Sequence, residues 1–528
     1  MPSSVSPSSL RQPSASRENA NHEDEEDDRQ CLCSSLKPLK MTKFRPRSSV
    51  RLKLFVTIFL VLVFLVYLPA RWRRSTGSES IRPWSKTNRD IYGQHINFWR
   101  SFHPILVANS PNCTSPKRSE KASSTRFDPK NGVERPDFMS MPREDVEKMK
   151  LMHNSFVNTL KDRPLHPYYV PGTRGLVSTA GGQFLPILTI SLRMLRHYGS
   201  SLPMEVFLAS EEEYEPYICE HVFAELNAKC LILGKILNEV PGPIDIKQYQ
   251  YKPFAMLFSS FEEMLFLDAD AFPLHDPKTL FSSEPFRSFN MVTWPDFWAS
   301  SASPLYYQIA SQRIPPTTAR ASTESGELLI SKKTHKKTLM LSTYYNYYGP
   351  SHYYPLFSQG AAGEGDKETF IAAATAVDEP FYQVSEPLRA IGHRAADGGM
   401  DGSAMVQYDP VEDYRLTKKG IFRVADPSAA RSPKPFFIHA NFPKFNPATI
   451  FEKHATDPVR DPKGNYIRQW TIPEDTIDEF EEDVVKQFWS EIKWVACELE
   501  DKFQSWKGKR GICDGVKRYW NDVFEKKS

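Results

Sequence analysis

Residues Glu263 to Leu267 form an apolar, strand-like run that ends in Asp268-Ala269-Asp270, two carboxylates one residue apart. In an open α/β sheet, ligands sit beyond the carboxyl ends of the strands. Two acidic side chains at such an end can hold a divalent cation against a diphosphate, as removal of a sugar from a nucleotide diphosphate requires. Asp270 reads as the direct ligand, while Asp268 can reach a ribose or a metal-bound water. A second apolar run, Pro435 to Phe442, carries His439 near its end. Alone, a histidine after a strand is more often structural. Joined to the aspartates it completes a hard-to-borderline ligand set that suits Mn²⁺ better than Zn²⁺.

Three segments between these runs carry further candidates. Asp296 lies between aromatic residues in Trp294-Pro295-Asp296-Phe297-Trp298, which could form a sugar platform or a packed corner. Glu324, in Glu324-Ser325-Gly326-Glu327, could bond sugar hydroxyls or mark the boundary of the strand that follows. Asp366, in Gly363-Glu364-Gly365-Asp366, precedes an Ala-rich helix, where it could face a ligand or cap the helix. Upstream, Gly181-Gly182 ends another strand. These glycines could let backbone amides approach a nucleotide or could make a plain tight turn, and their spacing is not the dinucleotide fingerprint.

The elements that must position these residues alternate. Strand-like runs at 175–180, 205–210, 231–233 and 263–267 are separated by longer, partly amphipathic segments, which predicts an α/β fold with a mostly parallel sheet and helices on both faces. Positions 146–160 recur at helical spacing ahead of Pro164. So do Ile477, Phe480, Val484, Phe488, Ile492 and Val495 near the end of the chain.

The chain has 528 residues, 40% hydrophobic and 25% charged, with a formal net charge of +3. That balance argues against a nucleic-acid binder held by bulk positive field. Residues 1–50, rich in Ser, Pro and charge, read as a disordered cytosolic tail. The uncharged run Leu54 to Ala70 would span roughly 26 Å as a helix and has basic residues on both sides. Residues 51–70 are therefore expected to form a signal-anchor transmembrane helix, 71–141 an extended luminal stem, and 142–528 the catalytic body. Cys219 with Cys230, and Cys497 with Cys513, are the natural disulfide pairs by their short separation, although spacing alone does not fix connectivity.

Taken in order, Tyr251-Lys252-Pro253-Phe254-Ala255, Leu267-Asp268-Ala269-Asp270, Trp294 to Trp298, Glu324-Ser325-Gly326, Tyr353-Tyr354-Pro355-Leu356, Gly363 to Phe370 and His439-Ala440-Asn441 resemble the fungal Golgi mannosyltransferases of glycosyltransferase family 71. Within that family the resemblance is to the α-1,2-mannosyltransferases that start branches on cell-wall mannan. It covers roughly residues 165 to 450, and Gly363 to Phe370 is its most specific part. The resemblance implies a Rossmann-like glycosyltransferase-A domain behind an N-terminal membrane anchor, in single-pass type II topology in the Golgi. It also implies GDP-mannose as donor, Mn²⁺ as cofactor, a mannose-containing glycan as acceptor, and retention of configuration. By the same resemblance Asp268 and Asp270 are the nucleotide and metal motif, and Lys252, Glu324 and Asp366 lie near donor or acceptor. The alternatives are an α-1,3-mannosyltransferase, a transferase using another nucleotide sugar, or a non-catalytic glycan-binding subunit of a Golgi transferase complex.

Overall fold

The computed structural model describes residues 87–395, 398–452 and 459–526. The tail at 1–50 and the apolar run at 51–70 lie outside the described residues, and none of the described helices is long and apolar enough to cross a membrane.

The fold is mixed α/β. In chain order its strands are β1 (Val170–Thr179), β2 (Met204–Leu208), β3 (Ala228–Ile232), β4 (Phe261–Leu267), β5 (Ala271–Pro273), β6 (Met291–Ala299), β7 (Ala321–Ser331), β8 (Tyr382–Gln383), β9 (Arg389–Arg394), β10 (Met400–Tyr408) and β11 (Pro435–Phe442). Two two-residue strands near the start, Lys117–Arg118 and Met139–Ser140, pair with each other. The larger sheet runs in the order β8-β6-β7-β4-β1-β2-β3. Its β4-β1-β2-β3 portion is parallel, whereas β7 runs antiparallel to both β4 and β6. A second sheet, β9-β10-β11-β5, is antiparallel throughout.

Strand β4 shows why the large sheet is sandwiched. Successive side chains of a strand point to opposite faces. Leu265 and Leu267 enter one apolar cluster, shared with helices α3 (Leu185–His197), α7 (Val484–Glu498) and α8 (Ile512–Trp520). Met264 and Phe266 enter another, shared with α1 (Thr87–Ala108), α2 (Arg143–Asp162), α4 (Tyr251–Leu257), α5 (Lys336–Tyr347) and α6 (Thr369–Ala376). A strand buried on both faces reads as a continuous apolar run. The disulfides Cys219–Cys230 and Cys497–Cys513 are both formed, and Cys113 is free.

The expected stem ends earlier than position 141. In α1, Phe98, Trp99, Phe102, Ile105 and Leu106 are buried in the second cluster, and the Trp99 indole N–H donates to the Leu237 carbonyl at 3.1 Å. Farther on, Phe127 N–H donates to the Phe297 carbonyl and Ala299 N–H to the Thr125 carbonyl, so residues 125–127 run along β6. The spacing of aromatic residues in α1 provides an apolar stripe, and burying it favours docking over an extended spacer. Trp99→Ala is expected to cost about 3–5 kcal/mol in folding stability. Chemical denaturation of the full chain measures this, and a change below about 1 kcal/mol would contradict the packing of α1 described here.

Candidate active site

Sheet topology brings three chain segments to one place. At the carboxyl end of β4, Asp268 N–H donates to the Gly326 carbonyl at 2.8 Å, and Ala271 N–H returns to the Asp268 carbonyl at 3.0 Å. This closes a turn that sends the chain into β5. Leu267 lies opposite Glu327 on β7, and Ala271 lies opposite His439 on β11. Ala440 N–H donates to the Asp270 carbonyl at 2.8 Å. The short Asp-x-Asp turn thus bridges the two sheets, with Glu324 to Glu327 on one side and His439 on the other.

The side chains form two linked charge clusters. In the first, the buried Lys252 ammonium donates to the Ser325 carbonyl at 2.6 Å and lies 3.2 Å from Asp268 and 3.1 Å from Asp366. Ser325 Oγ donates to Asp366 Oδ2 at 3.1 Å. Burial pulls the Lys252 pKa down, but the Asp268 and Asp366 carboxylates outweigh it and hold the pKa above the ordinary lysine range. In the second cluster, His439 Nε2 faces Asp270 Oδ1 at 3.0 Å and Nδ1 faces Glu324 Oε1 at 3.2 Å. Burial opposes charge on this imidazole, yet the two carboxylates drive its pKa well above the usual value. Asp270 also accepts from Lys444. Despite its burial, His439 and Lys444 hold its carboxyl well below the usual range.

Asp268, Glu324 and His439 each offer one ligand atom, all within 4.8 Å of one another. Glu324 Oε2 and both oxygens of Glu327 are buried without a hydrogen-bond donor. Burial, with Glu324 beside it, pushes the Glu327 pKa well above the carboxylate range. Buried carboxylates lacking donors, with an imidazole beside them, are what a divalent cation would satisfy. The residues present therefore fit a metal site in which Glu324 joins the predicted Asp268 and His439, whereas Asp270, expected as the direct ligand, lies outside that group and pairs with His439 and Lys444.

A family model, Mannosyl_trans3, described as "Mannosyltransferase putative", matches residues 173–321 and 312–409. The α-1,2-mannosyltransferase MNN2 of Saccharomyces cerevisiae is 31% identical over 433 residues, covering 66% of this chain and 72% of that protein. The chain belongs to this mannosyltransferase family. Two Candida albicans α-1,2-mannosyltransferases agree: MNN21, 34% identical over 441 residues (72% of this chain, 66% of that protein), and MNN2, 33% identical over 322 residues (54% and 52%). The match spans less than two thirds of the length of either Candida relative. Among solved structures, the glycosyltransferase GlyE of Streptococcus pneumoniae aligns at a TM-score of 0.31 with 11% identity, over 61% of this chain and 63% of that one. Mouse xyloside xylosyltransferase 1 aligns at 0.27 with 14% identity, over 41% and 86%. Likeness this coarse carries no detail of the site.

In this family member the other predicted residues take different places. Lys252 and Asp366 lie in the first cluster, as described. Asp296 stands at its border, where it accepts from Lys367 Nζ and from Phe297 N–H, both at 2.7 Å. Trp294 is fully buried with its indole bonded to the Tyr408 carbonyl, so the aromatic segment begins as a packed corner. Glu324 sits inside β7, whose eleven residues are all buried, and not at a strand boundary. Gly181-Gly182 lies at the carboxyl end of β1, beside β4, and a Cβ at Gly181 would strike the Glu213 carboxylate at 2.3 Å.

Sequence reasoning missed Lys444, Glu327 and Glu368. Glu368 accepts from Thr323 N–H at 2.7 Å and pairs with Arg320 at 3.3 Å, which anchors the stretch of β7 ahead of Glu324. Lys444 had a signal, since it lies five residues beyond His439 after the strand ends. Gly326 has a steric role: a Cβ there would meet His439 Nδ1 at 2.5 Å and Glu324 Oε1 at 3.0 Å. Gly326→Ala is expected to displace the imidazole and lower kcat about 100-fold while the chain still folds. Activity with unchanged circular dichroism checks this, and full activity would mean the close approach is dispensable.

Proposed function

We propose that this protein is a retaining α-1,2-mannosyltransferase that moves mannose from GDP-mannose to a mannose residue of a mannan or N-glycan outer chain. The convergence of Asp268, Glu324 and His439, with carboxylate oxygens lacking donors, is the observation that carries this reading. Family membership supports the choice of sugar, and the mixed sheet is consistent with a glycosyltransferase-A fold.

Asp268, Glu324 and His439, with Asp270 beside them, would hold Mn²⁺. To act as a ligand, His439 must give up the proton it now shares with Glu324 or Asp270, and Lys444 is placed to keep Asp270 compensated. When bound, the ion screens the diphosphate and stabilises the departing nucleotide. Lys252 fixes the Asp268 and Asp366 carboxylates relative to each other, so that Asp366 is held in place. Asp366 is thereby suited to orient an acceptor hydroxyl or to stabilise positive charge at the anomeric carbon. Asp296, tied to Lys367, serves as a border group. We further assign residues 51–70 as the anchor of a type II Golgi membrane protein whose body faces the lumen. The two disulfides support an oxidising compartment.

The test is transfer from GDP-mannose to an α-1,6-linked mannose oligosaccharide by the full-length protein, with Mn²⁺ present or chelated, reading the product linkage by NMR. A Mn²⁺-dependent α-1,2 product is expected. A folded protein that fails to bind GDP would sink the proposal.

A further inference from the structure

Beside the acidic site lies a cavity of about 1150 Å³ whose contents the reaction does not yet explain. Its wall is built from segment 126–133, from Pro295 to Phe297 on β6, from residues 318–321 at the start of β7, and from segments 382–389 and 417–427. We propose that this cavity is the groove that holds the acceptor glycan over several sugar units. The assignment rests on the mannosyltransferase reading above and extends it to the acceptor.

Three observations carry it. First, the cavity borders the reaction site at Asp296. Asp296 lines it and accepts at 2.7 Å from Lys367, the sequence neighbour of Asp366. Two residues back along β6, Trp294 pairs with Glu324 itself. A chain lying in the cavity would present one end to the acidic cluster.

Second, the size is wrong for one sugar. Small-molecule sites enclose about 300–1,000 Å³, so a cavity above that range suits an oligomer.

Third, the lining suits an uncharged polyhydroxyl chain. Three of its four arginines are already compensated: Arg423 pairs with Glu386 at 2.8 Å, Arg320 with Glu368 at 3.3 Å, and Arg389 with Asp475 at 3.9 Å. An anionic ligand would have to compete with these carboxylates, whereas sugar hydroxyls can add to the outward edges of paired guanidinium groups. Phe422, 50% exposed on the rim, offers a face for the C–H side of a pyranose ring.

Two substitutions probe the groove without touching the acidic cluster. Ala319 is exposed and lines the cavity, so Ala319→Trp fills it from the solvent side, and Phe422→Ala removes the rim platform. The experiment measures equilibrium binding of a five-residue α-1,6-linked mannose oligosaccharide to the full-length chain by calorimetry, with GDP binding measured in parallel. Each variant is expected to weaken glycan affinity about ten-fold or more while GDP affinity is unchanged. Unchanged glycan affinity in both variants would overturn the assignment. So would a wild-type protein that binds GDP but not the glycan. Loss of GDP affinity with glycan affinity intact would make the cavity a donor site and equally overturn it. A wild type that binds the glycan in this groove yet transfers no mannose from GDP-mannose would refute the catalytic reading and leave the groove standing.

Discussion

Asp268→Asn is expected to lower kcat/KM for mannose transfer by about 1,000-fold or more, because it removes one of the three ligand atoms gathered for a cation and halves the charge facing Lys252. The same substitution should barely change stability. The Asp268 side chain is 29% exposed, and Lys252 keeps Asp366 and Ser325 as partners when Asp268 is neutralised. The main-chain bond from Asp268 N–H to Gly326 does not involve the side chain, so the turn into β5 persists. The pairing of a large kinetic loss with an unchanged denaturation midpoint is the informative result. Manganese binding, followed by electron paramagnetic resonance of free Mn²⁺, should weaken in parallel. Near-normal turnover in the variant would show that Asp268 touches neither cation nor donor.

Much of the central sheet was legible because buried parallel strands are unbroken apolar runs. Phe261–Leu267 stands out for that reason and leads directly into Asp268, while Pro435–Phe442, in the antiparallel sheet, is an apolar run that carries His439 mid-strand. What could not be read was which strands are neighbours. Strand β7 carries Glu324, Ser325 and Glu327 in mid-strand, a composition that reads as a loop leading into Leu328. Glu324 and Ser325 are tolerated there because Lys252 and His439 supply partners from elsewhere in the chain and Gly326 N–H supplies one from within the strand. The start of the body was misjudged for the opposite reason. Phe98, Trp99, Phe102, Ile105 and Leu106 keep helical spacing, but Pro104 and the polar surroundings hide the stripe.

The site divides along the same line. Asp268, Asp270, His439 and Asp366 were identifiable by residue type and by position in or after a strand or before a helix, Lys252 only through the family resemblance, and the structure brings all five into two contiguous clusters. Residues whose importance is purely relational were not. Glu327 is one more acid in an acidic segment until the sheet places it opposite Leu267 and beside Glu324. Lys444 is a surface lysine until the turn after β11 carries it to Asp270. Gly326 looks like any strand glycine until His439 crosses it. Proximity across sheets is not encoded in local pattern, so the second half of an ion pair is the part that sequence hides.

Asp270→Ala separates a structural from a catalytic share in the acidic motif. Unlike Asp268, Asp270 is 5% exposed, and its carboxylate answers two cations, His439 and Lys444. Removing one member of a buried ion pair leaves the other uncompensated, which costs about 3–5 kcal/mol. Here the cost should fall at the low end of that range. The Lys444 side chain is 47% exposed and can turn to water, while His439 keeps Glu324 and can shed its proton. The expected outcome is therefore a destabilisation of about 3 kcal/mol together with loss of transfer by at least about 1,000-fold. Denaturation and kinetics on the same preparation measure both. The discriminating control is Lys444→Met, which removes the exposed cation and leaves His439 paired with Asp270. It should lower stability by no more than about 1 kcal/mol. If Lys444→Met destabilises as much as Asp270→Ala, the lysine and not the histidine is the partner that holds the turn between the two sheets. If Asp270→Ala leaves stability intact but abolishes transfer, the carboxylate is held in place for the reaction alone, and the fold relies on the main-chain bonds of Asp268 and Ala440.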